Sequence, residues 1–187
     1  MSVRIIGGRF GGRRLETRSG PGTRPTTDRA REALFSILGP LDGAYVLDVF
    51  AGSGALGLEA LSRGATAVTF VEHARSALNV IRSNIALLAV ADETRVVAAD
   101  WAEALNRERR AGAAFDLVLA DPPYGEVTRI GPLLGAALVP LVRAGGRVVV
   151  EYSSGEPELP GLGPLQVAER IDRHYGATAI AIIEVDT

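Results

Sequence analysis

The sequence predicts an α/β fold: a Rossmann-like, doubly wound, mostly parallel sheet with a C-terminal antiparallel hairpin, preceded by a basic N-terminal β-hairpin arm. Three observations predict it. Tyr45–Gly57 reads Y-V-L-D-V-F-A-G-S-G-A-L-G, a short apolar run, three glycines, and then the helical pattern Leu56, Leu58, Ala60 and Leu61. Further apolar runs at Ala67–Glu72, Arg95–Ala98, Phe115–Ala120 and Arg147–Glu151 alternate with helical patterns, as parallel strands buried under helices do. Leu165–Arg173 and Thr178–Val185 flank His174, Tyr175 and Gly176, which predicts two antiparallel strands joined by a turn.

A chain of 187 residues suffices for one domain with a real core and is short for two. It has no cysteine, which excludes disulfides, cysteine-zinc sites and thiol nucleophiles. Neither a signal peptide nor a membrane-length apolar run is present, so a soluble, cytoplasmic protein is expected. All 20 basic residues are arginine, a bias that a GC-rich genome would produce unaided. The net charge of −2 is unevenly laid out: residues 1–31 hold eight arginines against Glu16 and Asp28, and the remainder is strongly acidic. A basic arm on an acidic body suggests a polyanionic partner.

Val3–Leu15 has short apolar runs around two glycine pairs, predicting a hairpin that presents Arg4, Arg9, Arg13 and Arg14. Arginine forks onto phosphate oxygens, and Phe10 can stack on a base, so RNA contact is expected here. The alternative is a solvated tail. With few apolar residues of its own, the arm is expected to add little core. Ser19–Gly22 reads as a link, dividing an arm over 1–22 from a main domain over 23–187. Thr27 or Asp28 then caps a helix with the apolar face Ala30, Leu34, Ile37 and Leu38, which Gly39-Pro40 ends. That helix is expected to bring Arg24 and Thr26 to the rim of the ligand pocket.

Gly52–Gly57 fits G-x-G-x-x-G, a spacing shared by dinucleotide-binding folds. Asp48 narrows it. At the strand end before the loop, a carboxylate would repel a pyrophosphate, whereas it suits a ligand with a cationic end such as S-adenosylmethionine. Its alternative reading is a turn cap. Ala51, Gly52, Ser53 and Gly54 then form the loop against the ligand. Glu72 follows Gly52 at the interval usual for a carboxylate on a ribose diol, with His73 next to it. Asp100 and Trp101 end another strand, an acid and an aromatic suited to an adenine, with a core role for Trp101 as the alternative.

Phe115–Ala120 runs directly into Asp121-Pro122-Pro123-Tyr124. Two prolines fix an extended backbone and remove two N–H donors. What remains is carbonyl oxygens and a carboxylate beside a flat tyrosine, a set that suits a planar ring bearing an NH₂ group. A rigid turn is the alternative. Gly131–Val142 reads as a helix, and the proline- and glycine-rich Ser153–Pro164 as a loop.

With these residues in place, the chain resembles the class I S-adenosylmethionine-dependent methyltransferases. More closely it resembles the RsmD family, which methylates a guanine exocyclic N2 amine in small-subunit (16S) ribosomal RNA. The resemblance is carried by Arg4-Ile5-Ile6-Gly7-Gly8, by Arg24-Pro25-Thr26-Thr27-Asp28 with Arg31–Phe35, by Asp48–Gly57 and by Asp121–Tyr124. It implies that Asp48 and the Gly52–Gly54 backbone hold the methionine end of the cofactor, Glu72 the ribose, and Asp100 with Trp101 the adenine. It further implies that Asp121 and the Pro122 carbonyl accept from the target amine while Tyr124 stacks on its ring. The partner implied is small-subunit ribosomal RNA, free or within an assembling subunit, met by a monomer without a metal. An adenine-amine methyltransferase, a glutamine-amide methyltransferase, a nicotinamide-dependent oxidoreductase and a non-catalytic RNA-binding domain are the competing readings.

Overall fold

The computed structural model describes residues 3–17, 28–123, 125–155 and 162–186. Two short strands, β1 (Val3–Arg4) and β2 (Arg14–Leu15), pair antiparallel, and α1 (Asp28–Leu38) follows. Next come β3 (Tyr45–Val49), α2 (Ala55–Ser62), β4 (Ala67–Glu72), α3 (Arg75–Leu88), β5 (Thr94–Ala98) and α4 (Trp101–Arg110). The chain continues through β6 (Phe115–Ala120), α5 (Val127–Leu138), β7 (Val142–Ser153), β8 (Val167–Tyr175) and β9 (Thr178–Val185). Among the described residues the main sheet has seven strands in the order β5-β4-β3-β6-β7-β9-β8. β5 through β7 are parallel, and β9 pairs antiparallel with both β7 and β8. The expected fold class is borne out.

Helices cover both faces because β3, β4, β6 and β7 carry apolar side chains on both sides. Val46, Phe70, Leu117, Leu119 and Val149 pack under α1, α2 and α3. Leu47, Val49, Val71, Val118, Val148 and Val150 pack under α4 and α5 on the other face. Side chains alternate along a strand, so the residue two beyond each member of the first set returns to the same face. That simple count places Asp48, Glu72, Asp121 and Glu151 together.

Several boundaries differ from expectation. Tyr45, read as part of a buried run, is 45% exposed at the start of β3, with the Arg143 guanidinium over its ring. α5 begins at Val127 rather than Gly131; Pro132 lies inside it and forfeits one backbone bond, which disguises the true start. β7 begins at Val142 rather than Arg147. Gly145, at φ 70°, and Gly146 lie within a register shift between Phe115↔Val142 and Leu117↔Arg147, so strand pairing resumes beyond them. His174 and Tyr175 belong to β8 rather than to the turn.

The expectation that the arm adds little core is corrected. Val3, Ile5 and Leu15 are buried, Ile5 and Leu15 within the same cluster as α1–α3. The fully buried Glu59 of α2 accepts the backbone N–H groups of Ile6 (2.7 Å) and Gly7 (3.0 Å). Asn84 of α3 accepts from Glu16 N and donates to Glu16 O. Gly8, at φ 75°, lies so close to α2 that a Cβ there would meet the Ser62 carbonyl at 1.8 Å. Apolar content was a poor guide because backbone groups, not side chains, make much of this contact.

Candidate active site

The C-terminal ends of β4, β3, β6 and β7 bring four carboxylates to one face of the sheet, in the order Glu72, Asp48, Asp121, Glu151. The α2 N-terminus meets this row at the glycine loop. Gly54 caps the helix at φ 77°, a left-handed conformation that favours glycine. Gly57 has a different reason to be glycine: a Cβ there would lie 2.5 Å from the Phe70 ring and 2.8 Å from Val68. The third glycine of the loop serves close helix–strand packing rather than ligand approach.

Asp48 is 1% exposed and accepts the Gly57 N–H at 2.9 Å. Burial pushes its carboxyl up to about 7; the Gly57 bond opposes this and the Glu72 charge adds to it. Among the described residues no cation offsets this buried acid, and a cationic ligand group would relieve it. Glu72 holds the loop together: one oxygen accepts from Gly52 N (3.0 Å), the other from His73 N and Ala74 N (2.8 Å each). His73 itself points out, its side chain 69% exposed. Ala51 N donates to Val71 O, and Ser53 O accepts from the Asn84 amide at 2.9 Å, so Ala51–Gly54 is tied to both β4 and α3.

Asp100 caps α4 by accepting Ala102 N at 2.9 Å, and Trp101 opens that helix half-buried. Sequence reasoning missed Phe50. It holds φ 64° beyond β3, a conformation costly for a bulky side chain, and its ring lies 6.1 Å from that of Trp101. The two rings pack together on the second core cluster. Nothing in the sequence marks a phenylalanine for positive φ.

Asp121 follows β6, with its N–H directed at the Val49 carbonyl of β3. The residue is half-buried, and burial of its carboxyl group, then the Glu151 and Asp48 charges, raise its pKa well above the ordinary value. Pro122 is buried and Pro123 exposed. Tyr124, Thr26 and Arg24 lie outside the described residues. Arg4 pairs with Asp28 at 3.0 Å, Arg9 with Glu93, and Arg13 donates to Leu87 O at 3.0 Å; all three and Arg14 are exposed on the hairpin.

Two further residues escaped the sequence reading. Glu151 is 6% exposed beside Asp121, because the register pairs Ala120 with Val150. Arg31 is 1% exposed on α1 and donates to Arg4 O (2.6 Å) and Asp28 (2.8 Å). Desolvation lowers its pKa, while Asp28, Glu59 and Glu151 oppose that. A strand-end rule applied to Glu151 would have found it; a lone arginine within an amphipathic helix carries no such signal.

A family profile described as Conserved hypothetical protein 95 matches residues 3–184. The chain is 36% identical over 182 residues to the "Putative rRNA methyltransferase YlbH" of Bacillus subtilis, covering 96% of this chain and 97% of that one. It is 46% identical over 123 residues to the "Ribosomal RNA small subunit methyltransferase D" of Escherichia coli, a match over 65% of this chain that spans 60% of that relative's length. Among solved structures, the "Putative methyltransferase yhhF" of Escherichia coli superposes with a TM-score of 0.81 at 33% identity, covering 100% of this chain and 99% of that one.

Proposed function

The chain belongs to the Conserved hypothetical protein 95 family, and from that premise we propose that it is an S-adenosylmethionine-dependent methyltransferase of the exocyclic N2 amine of a guanine in small-subunit ribosomal RNA. The resemblance to the RsmD family carried by its motifs is thereby borne out. One observation carries the chemistry. Asp121 stands on the strand next to Asp48 and on the same face, so an amine held at Asp121 adjoins a ligand held at Asp48.

The residues at the glycine loop fit the cofactor by their chemistry. Asp48 offers a buried anion to its cationic end, Glu72 a carboxylate to its diol, and Phe50 with Trp101 an apolar wall to its base. When bound, the cofactor supplies an electrophilic methyl group on a sulfonium. Asp121 and the Pro122 carbonyl accept hydrogen bonds from the target amine, which directs the nitrogen lone pair away from them. Tyr124 offers a stacking face to a base turned out of its helix. Positioning of this kind accounts for most of the rate, and the raised pKa of Asp121 suits it to receive the proton that the amine must lose.

The hairpin arginines, with Arg24, are the phosphate-contacting surface in this reading, and the enzyme acts as a monomer in the cytoplasm on RNA within an assembling subunit. The test is methyl transfer from radiolabelled S-adenosylmethionine to undermethylated small subunits, naked ribosomal RNA, DNA and protein extract, each separately. Label in ribosomal RNA, recovered as N2-methylguanosine after digestion, supports the reading. Label confined to DNA or protein overturns it.

A further inference from the structure

Glu151 has no part in the chemistry described above, although it occupies the same row. β6 and β7 are adjacent parallel strands, so Asp121 and Glu151 leave the sheet side by side, about 4.8 Å apart at the backbone. Alternation turns both toward the face that holds Asp48. Two neighbouring acid side chains are costly unless something donates to both.

Arg31 supplies the second, independent observation. Its guanidinium is 1% exposed, its Nε lies 3.9 Å from the buried Glu59 carboxylate and Glu151 is within electrostatic reach, yet Nε and Nη1 have no hydrogen-bond partner. Such groups are rarely left orphaned in a finished site, because each costs about as much as a lost hydrogen bond. Side by side, the row therefore offers two acceptors, with a buried guanidinium on the same side of the sheet. The four carboxylates do not cluster as metal ligands among the described residues.

The Watson–Crick edge of guanine is the complement of that set. N2–H₂ and N1–H are adjacent donors, and O6 beyond them is an acceptor. Adenine reads differently: its amine lies next to N1, whose lone pair would face a carboxylate. Building on the guanine-amine reading, we propose that Glu151 recognises N1–H of the target base while Asp121 holds its amine, making Glu151 the residue that selects guanine. A carboxylate can accept several bonds at once, so this use is compatible with the other interactions of Glu151.

The probe is 2-aminopurine, which keeps the 2-amine but has a lone pair at N1 and hydrogen at C6. The methylated guanosine is mapped first, and the analogue is then placed there by ligation into small-subunit RNA. Wild-type enzyme should prefer guanosine by on the order of 10²-fold or more in kcat/KM, since a site built to bond a donor rejects an analogue lacking it. In Glu151→Gln the new amide can donate to N1 of the analogue, so that preference should fall at least about tenfold, with S-adenosylmethionine affinity retained. Equal wild-type rates on the two bases overturn the proposal, whether or not the variant folds. An unchanged preference in a folded Glu151→Gln protein overturns the assignment to Glu151. Absence of wild-type methylation of any RNA guanosine would instead sink the parent reading.

Discussion

The carboxylate of Asp48 accepts the backbone N–H of Gly57 at 2.9 Å, which ties the end of β3 to the first turn of α2. Burial nonetheless raises its pKa to about 7. The folded protein therefore binds a proton more readily than the unfolded chain, whose aspartate titrates near its ordinary value. Between those two values stability falls as pH rises, and above about 7 the penalty is complete. The ligand-free Asp48→Asn protein is expected to gain melting temperature relative to wild type above pH 7, with the gain shrinking as pH falls through the acid range. Thermal scans at several pH values check this.

A cation beside Asp48 stabilises its charged form. Affinity for S-adenosylmethionine should accordingly rise from pH 5.5 toward about 7 and level off above it, with proton release on binding in the lower range. Calorimetry in buffers of different ionisation enthalpy measures both quantities. A flat affinity, with no proton released, would remove Asp48 from the cofactor site.

Asp121→Ala should abolish most methyl transfer and leave cofactor affinity within a few-fold of wild type. Losing a charge-assisted hydrogen bond to the amine is worth about 1.5–3 kcal/mol, a factor of roughly 10 to 100 in rate before any loss of proton transfer. Single-turnover rates with saturating RNA read this directly, and a wild-type rate would reduce the proline motif to a turn.

The hairpin should prove structural. Ile5→Ala removes a side chain 1% exposed in the main core and is expected to cost about 2–5 kcal/mol. Deleting residues 3–17 also leaves Glu59 buried without its two backbone donors, so a larger loss is expected, with unfolding at ordinary temperature as the extreme. Chemical denaturation of both variants gives the answer. Stability within about 0.5 kcal/mol of wild type in either would show that the docked hairpin is not needed.

RNA binding is better tested without deleting the hairpin. Arg4, Arg9, Arg13 and Arg14 are exposed, and surface pairs such as Arg4 with Asp28 are worth about 0–1 kcal/mol each. Replacing the four by alanine should leave folding and cofactor binding nearly intact. RNA affinity should fall, and its log–log salt slope should flatten by roughly 0.7–0.9 for each phosphate that an arginine no longer neutralises. An unchanged slope would move the RNA surface elsewhere.

Much of the frame was legible in order along the chain. Apolar runs ending in an acid or a glycine loop identify β3, β4 and β6, because a strand buried on both faces must be apolar and admits a carboxylate only where it runs into its loop. Asp48, Glu72 and Asp121 could be chosen on that ground alone. Alternation along each strand also dictates that they share a face once the strands are neighbours. Which strands are neighbours is a tertiary fact, however, and the adjacency of β6 and β7 is what makes a pair of Asp121 and Glu151. Tertiary packing likewise decided the place of the hairpin and of Arg31. Glu59 sits in a helix that otherwise reads as core, and its partners are backbone N–H groups more than fifty positions away. Side-chain pattern records which face of an element is apolar. It carries no record of a main-chain donor arriving from elsewhere in the chain, so pairings of that kind appear only when the chain is folded.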